Sequence, residues 1–218
     1  MTHPLEAGLR RGLDKLDLPL SDAQVQTLLA YLDWVAKWNK VYNLTALRDP
    51  QEMLTHHLLD SLAAVPPLRR HLAQVGKEQG AKLLDVGSGA GLPGAVIAIV
   101  CPEVDVSCVD TVAKKALFIQ QVAAALRLPN LHGVHARVEN LTQTFDVISS
   151  RAFASLKDFT DWSRQAVAEQ GVWLAMKGKL PHDEMQALGA SVGVFHVEPL
   201  SVPGLDAERC IVWLRPQP

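Results

Sequence analysis

Leu84-Asp85-Val86-Gly87-Ser88-Gly89-Ala90-Gly91-Leu92-Pro93-Gly94 is the stretch on which the reading of the whole chain turns. The apolar run Lys82–Val86 that leads into it has the length and composition of a buried strand. Glycines at 87, 89 and 91 admit positive φ and let backbone approach a ligand without Cβ clashes. Pro93 stands where a helix begins, and Leu92–Val100 is the helix candidate. Strand, glycine turn and helix in that order open a βαβ unit whose turn cradles a nucleotide-type ligand.

Working toward the C-terminus, further strand candidates are Val104–Val109, Leu131–His135, Phe145–Ser149, Gly171–Met176, Val194–Val197 and Cys210–Leu214. Helices fit between them over Val112–Arg127, Lys157–Ala168 and Pro181–Ala190, while Ala136 to Thr144 leaves room for a turn or two. Strands alternating with helices predict an α/β, doubly wound and mostly parallel seven-stranded sheet. Working toward the N-terminus, residues 1–78 read as a helical cap preceding a domain at 79–218. Ser21 with Gln24 forms a capping box before the stripe Val25, Leu28, Leu29, Leu32 and Val35. Asp49-Pro50-Gln51-Glu52 starts a second helix, continued by Leu54, Leu58 and Leu62 and expected to stop at Pro66-Pro67.

Composition narrows the class. The chain has 218 residues, 48% hydrophobic and 20% charged, with net charge −2, enough to bury a core without disulfides or metal. Its longest apolar run, Leu92–Cys101, is broken by Pro93 and Gly94 and is too short to span a bilayer. The beginning, Met1-Thr-His-Pro-Leu-Glu, lacks a signal-peptide core. Three cysteines and eight histidines lack metal-ligand spacing, so no metal is expected. A soluble cytoplasmic protein is the expectation.

The ligand of the glycine loop has two candidates. Gly89-Ala-Gly91-Leu-Pro-Gly94 fits the dinucleotide fingerprint, with Asp110 about twenty residues on, and alone would suit a nicotinamide oxidoreductase. That placement, however, sets the strand-to-turn junction two residues late. Asp85 also ends the strand with a carboxylate that repels a pyrophosphate and attracts a cationic ligand. S-adenosylmethionine, with its ammonium and sulfonium, is such a ligand, and an acidic residue before Gly-x-Gly-x-Gly resembles the first motif of class I methyltransferases. Asp110 would bridge ribose hydroxyls while also charging the next helix, which Thr111 could cap. Val138-Glu139 would flank an adenine. After the fourth strand, Ser150-Arg-Ala-Phe-Ala-Ser155 contains neither the Asn/Asp-Pro-Pro-aromatic motif of exocyclic-amine methylation nor the cysteine of pyrimidine C5 methylation.

Longer matches sharpen this. Trp38-Asn-Lys-Val-Tyr-Asn-Leu-Thr45, Arg48-Asp-Pro-Gln-Glu-Met53, His57-Leu-Leu-Asp-Ser-Leu62, the loop Asp85–Gly94, Ser150–Ser155 and Met176-Lys-Gly178 resemble the bacterial 16S rRNA (guanine-N7) methyltransferase family, also called glucose-inhibited division protein B. The resemblance runs from about residue 38 to 185; Ala90 departs from a proline common in the family. It implies a class I, Rossmann-like fold and methyl transfer from S-adenosylmethionine to N7 of one guanine, position 527, of 16S rRNA. It carries cofactor contacts onto Gly87, Leu92, Val138, Glu139 and Arg151, to which the loop reading adds Asp85, Gly89, Gly91 and Asp110.

Guanine N7 has a free lone pair and no proton, so no general acid or base is assigned. Arg151 is the active-site candidate; its alternative role is a structural ion pair. Asn39, Lys40, Asn43, Arg48, His57 and Lys177 are the RNA-contact candidates, phosphates for the basic ones and the target pocket for His57. The partner would be 16S rRNA or the small ribosomal subunit, met by a monomer, with no membrane involved. A small-molecule methyltransferase is the alternative, ahead of an oxidoreductase; a non-catalytic RNA-binding module would not need an intact loop.

Overall fold

The computed structural model describes residues 3–217. Strand β1 (Lys82–Val86) lies at the centre of a seven-stranded sheet, flanked by β2 (Asp105–Asp110) and β3 (Leu131–His135) on one side. On the other lie β4 (Phe145–Arg151), β5 (Val167–Lys177), β7 (Cys210–Pro216) and β6 (Val192–Pro199), giving the order β3-β2-β1-β4-β5-β7-β6. The first five strands pair in parallel, and β7 inserts antiparallel between β5 and β6. All seven sequence expectations fall on strands; β5 begins four residues earlier than Gly171.

Period-two alternation assigns each strand residue a face. Leu83, Val106, Cys108, Val147 and Leu174 join one apolar cluster with α6 (Gly94–Val100) and α7 (Ala113–Ala125). Leu84, Val86, Val109, Ile148 and Trp173 face the opposite side, against α8 (Leu156–Ser163). Short α9 (His182–Gln186) precedes β6. Strand order changes direction at β1 and β4, so a crevice opens beyond their carboxyl ends.

The N-terminal helices lie on the α6–α7 side. These are α1 (Glu6–Lys15), α2 (Asp22–Tyr42), α3 (Pro50–Met53), α4 (Asp60–Leu62) and α5 (Val65–Gln74). Helix α2 starts at the expected Ser21/Gln24 capping box and crosses both sheet helices. Gln24 Nε2 donates to the Val100 carbonyl at 3.1 Å, and Trp38 meets Phe118 of α7 edge-on, ring centroids 5.4 Å apart. Asp49 caps α3 as expected, accepting from the Gln51 and Glu52 amides.

Two expectations there need correction. The helix from Asp49 does not stay α-helical: Leu54–Leu59 forms a π-helical segment between α3 and α4. Pro66-Pro67 does not merely stop a helix; it lies in the first turn of α5. First-turn amides have no intrahelical acceptor, so proline there loses nothing.

Candidate functional site

Asp85 faces the α6 side with Leu83 and is completely buried beneath the glycine loop. Its Oδ2 accepts from the Gly94 amide at 2.9 Å and its Oδ1 from the Ser149 hydroxyl at 3.1 Å. Burial raises its carboxyl to about 7 against the pull of those two donors. The expected attraction of a cationic ligand by an open carboxylate at this point is therefore corrected: Asp85 ties the loop to the start of α6. Tyr31 of α2 supports the same loop, its hydroxyl donating to the Ala90 carbonyl at 2.7 Å.

Positive φ is used at Gly87 (+66°), Gly89 (+58°) and Gly91 (+88°). A Cβ on Gly87 would run into the Phe153 ring. Phe153 is held there by a strained segment, since its neighbours Ala152 and Ala154 have φ of +52° and +43°. Left-handed alanine costs on the order of 1–2 kcal/mol per residue and persists where surrounding structure imposes it.

Above this loop opens a cavity of about 550 Å³, its floor formed by Gly87, Val109 and Asp110 and its walls by Val138, Glu139 and Phe153. Asp110 Oδ2 accepts from the Gly89 amide (3.1 Å) and Oδ1 from the Val112 amide (2.9 Å). Oδ2 also pairs with Lys115 Nζ at 3.5 Å, while Oδ1 keeps a second lone pair. The N-cap of α7 is Val112 and no side chain caps the helix, so the expected Thr111 cap is absent. Trp162, exposed at the rim, stacks edge-on with Phe153, centroids 5.8 Å apart. Of the proposed cofactor contacts, Gly87, Asp110, Val138 and Glu139 line this cavity; Gly89, Gly91, Leu92, Asp85 and Arg151 do not.

Arg151 instead faces a second cavity, of about 340 Å³, that shares Ala152 with the first. There it forms the ion pair regarded above as the alternative: Nη1 donates to Asp60 Oδ2 (2.8 Å) and to the His56 carbonyl (2.7 Å). Arg209 donates through Nε to Asp60 Oδ1 at 2.9 Å. His57 lies on the same wall, its Nε2 2.9 Å from the Thr45 hydroxyl. Burial, then the Arg151 charge, lowers its pKa to about 4, so it is neutral at pH 7. Lys177 lines this cavity too, bonded to Glu184 at 2.7 Å and to the Ala154 carbonyl.

Of the two asparagines, Asn39 is corrected as an RNA contact, while Asn43 stays exposed. Asn39 is buried, donating to the Leu47 carbonyl and accepting from the Thr45 amide, both at 2.9 Å. Asn43 is the left-handed C-cap of α2, and its side-chain oxygen accepts from Arg48 at 3.1 Å. Both amides shape the loop after α2, and Lys40 and Arg48 remain exposed beside it. Asp60, Phe153, Trp162 and Arg209 were not singled out from sequence. Asp60 shares the His56-His57 segment and was within reach; Arg209 meets it across 149 positions, with no local signal.

Among the described residues no three His, Cys, Asp or Glu side chains gather as a metal site would need. None of the described helices is long and apolar enough to cross a membrane.

The family model for rRNA small subunit methyltransferase G, GidB, matches residues 24–212. The chain is 71% identical to ribosomal RNA small subunit methyltransferase G of Acidovorax sp. (strain JS42), covering 97% of this chain and 95% of that one. It is 70% identical to the protein of that name from Polaromonas sp. (strain JS666 / ATCC BAA-500), covering 96% and 93%. In fold it is similar to magnesium protoporphyrin IX methyltransferase from Synechocystis PCC 6803, solved with bound SAM (TM-score 0.58, 13% identity, 90% of this chain and 98% of that one). A similar likeness holds to the N-methyltransferase NodS from Bradyrhizobium japonicum WM9, in complex with S-adenosyl-L-homocysteine (TM-score 0.58, 13% identity, 84% and 99%).

Proposed function

The chain belongs to the rRNA small subunit methyltransferase G family, and we propose from that premise how its two cavities serve methylation of N7 of guanine 527 in 16S rRNA. S-adenosylmethionine supplies an activated methyl: the N7 lone pair takes the methyl carbon, the carbon–sulfur pair leaves with sulfur, and no proton moves. The observation that carries the reading is the cavity beyond β1 and β2, which combines a Cβ-free floor, a carboxylate and apolar walls. It suits the cofactor's three parts. Asp110 Oδ1 has a lone pair for a ribose hydroxyl, Val138 and Glu139 border an adenine-sized end, and Gly87 lets the chain pass close beneath. Gly89, Gly91 and Leu92 act through the loop's shape, and Asp85 by fastening it. Arg151 acts from the neighbouring cavity.

With no proton to remove, the residues contribute by binding, alignment and exclusion of water. Phe153, pressed over Gly87 by its strained flanks, and Trp162 beside it close one side of the site. The segment 1–78 carries the π-helical histidines and, with exposed Lys40 and Arg48, offers cations to RNA phosphates. The protein works in the cytoplasm, as a monomer, on 16S rRNA or the assembled small subunit.

The test is transfer of labelled methyl to small ribosomal subunits from a strain lacking this protein, read by nucleoside mass spectrometry. Label in 7-methylguanosine is expected, reduced at least tenfold by Gly87→Asp. Label in a different nucleoside overturns the substrate, and no transfer despite cofactor binding overturns the rRNA reading.

A further inference from the structure

The second cavity contains a charge arrangement that the fold does not require. Asp60 is 3% exposed, and its two carboxylate oxygens are engaged separately by Arg151 and Arg209. The three come from α4, the end of β4 and the loop before β7, 91 and 149 positions apart in sequence. Burying the Asp60 carboxylate against two partly exposed guanidiniums adds little net stability, because its desolvation offsets the attraction.

Both guanidiniums also hold donors in reserve. Arg151 spends only Nη1, on Asp60 and the His56 carbonyl; Arg209 spends Nε on Asp60 and Nη1 on the Glu208 carbonyl. Nε and Nη2 of Arg151 and Nη2 of Arg209 have no protein acceptor among the described residues. Each Asp60 oxygen retains a lone pair. On the same wall, buried His57 Nδ1 has no partner among the described residues. The cavity, about 340 Å³, lies within the usual range for small-ligand sites and touches the cofactor cavity at Ala152.

Resting on the rRNA-methyltransferase reading, we propose that this cavity receives the unstacked target base and that the Arg151–Asp60–Arg209 cluster selects guanine. Guanine's Watson–Crick edge presents one acceptor, O6, beside the N1–H and N2–H₂ donors. A carboxylate between guanidiniums presents the complementary set, with guanidinium donors for O6 and carboxylate lone pairs for N1–H and N2–H₂. Adenine reverses the pattern, setting its N6 amino group against a guanidinium and its bare N1 against a carboxylate. Unpaired buried groups then reject it, which discriminates more strongly than shape alone. With that edge engaged, N7 is left free for the methyl donor across Ala152. Asp60 and Arg209 are thus specificity-determining residues for the reaction.

The experiment compares wild-type protein, Asp60→Asn and Arg209→Gln on undermethylated small subunits reconstituted with guanosine or inosine at the target. Inosine lacks only the N2 amino group and keeps N7. Affinity for S-adenosylhomocysteine is measured in parallel by calorimetry. Wild type is expected to lose roughly tenfold or more in kcat/KM on inosine, the usual effect of one missing hydrogen bond to a charged group. Asp60→Asn, which puts one neutral acceptor oxygen in place of two charged ones, should lower the guanosine-to-inosine ratio several-fold. Arg209→Gln should slow guanosine methylation about tenfold with cofactor affinity unchanged. The half-exposed position of Arg209 makes its variant the safeguard should Asp60→Asn fold poorly. Wild-type-like discrimination in Asp60→Asn overturns the assignment. Weakened cofactor binding in Arg209→Gln with RNA kinetics unmoved also overturns it, giving the cavity to the cofactor's own carboxylate. If wild type makes no 7-methylguanosine on guanosine subunits, the underlying reading fails first, and the two failures are distinct.

Discussion

Asp85 and His57 hold opposite protonation anomalies on either side of the site. Burial raises Asp85 to about 7, so the folded chain holds a proton between roughly pH 4 and 7 that the unfolded chain, near 3.8, has released. Asp85 therefore makes stability fall as pH rises through that window. His57 is lowered to about 4 from 6.5, so there the unfolded chain binds the extra proton and stability falls as pH drops. Half-buried His71, also lowered by desolvation, adds in the same sense as His57. The windows overlap and the slopes oppose. Asp85→Asn preserves an acceptor for the Gly94 amide and a donor for Ser149 while removing the titration. Urea unfolding at pH 5 and pH 7 should then show the variant losing more stability on acidification than wild type, by up to about 1.4 kcal/mol per pH unit. An unchanged slope would mean that Asp85 does not carry the extra proton. Gly87→Ala is expected to displace Phe153, weakening cofactor binding at least tenfold by calorimetry; unaltered affinity would detach Gly87 from the site. Asp110 was legible as a strand-end acid facing the loop. The direction of Asp85 was not used, although it shares a strand face with Leu83 rather than with Leu84 and Val86. Asn39 misled because sequence does not show whether an amide is already satisfied by nearby backbone.

Helix α2 connects the N-terminal segment to the glycine loop through one hydroxyl. Tyr31 is fully buried, and its OH is the donor to the Ala90 carbonyl. Tyr31→Phe keeps the ring and removes that donor, leaving a buried carbonyl short of a partner, at a cost of about 1–3 kcal/mol. Thermal melts should show the loss, accompanied by a few-fold weaker cofactor affinity because the loop is supported from below; a lower Tm with unaltered affinity would confine Tyr31 to stability. Helix starts were the most legible elements. The Ser21/Gln24 box and the Asp49 cap satisfy amides within three residues, so local chemistry alone determines them. The π-helical segment Leu54–Leu59 was not legible, because no local residue forces it. Its meaning lies across the molecule, where the His56 carbonyl accepts from Arg151 and His57 and Asp60 line one cavity. Such segments recur at functional sites for this reason: they loosen the i→i−4 ladder and re-aim what it carried.

At the scale of the whole molecule, the change of pattern near residue 79 marks a change of element type, and the burial of α6 indicates whether it also marks a separable unit. Gly94-Ala-Val-Ile-Ala-Ile-Val100 has no polar position, and all seven residues are buried. A helix apolar on every side must be covered on every side. One side of α6 meets the sheet; the opposite side meets α2 and α4. The apolar cluster on this face runs without a break from Leu9 and Leu28 through Ile97 to Leu174. The doubly wound order was readable because alternating strands and helices allow few topologies, and the all-apolar α6 was readable as buried. What covered it was not, since amphipathic α2 shows only that it must pack on something. A fragment of residues 79–218 should therefore expose the outer side of α6, together with Phe118 of α7, which Trp38 of α2 covers, as an apolar patch. It is expected to bind a hydrophobic dye, to aggregate and to show no cooperative melt. A fragment that melts cooperatively near the full-length Tm would make the N-terminal helices a detachable cap, and methyl transfer by that fragment would remove His57 and Asp60 from the reaction.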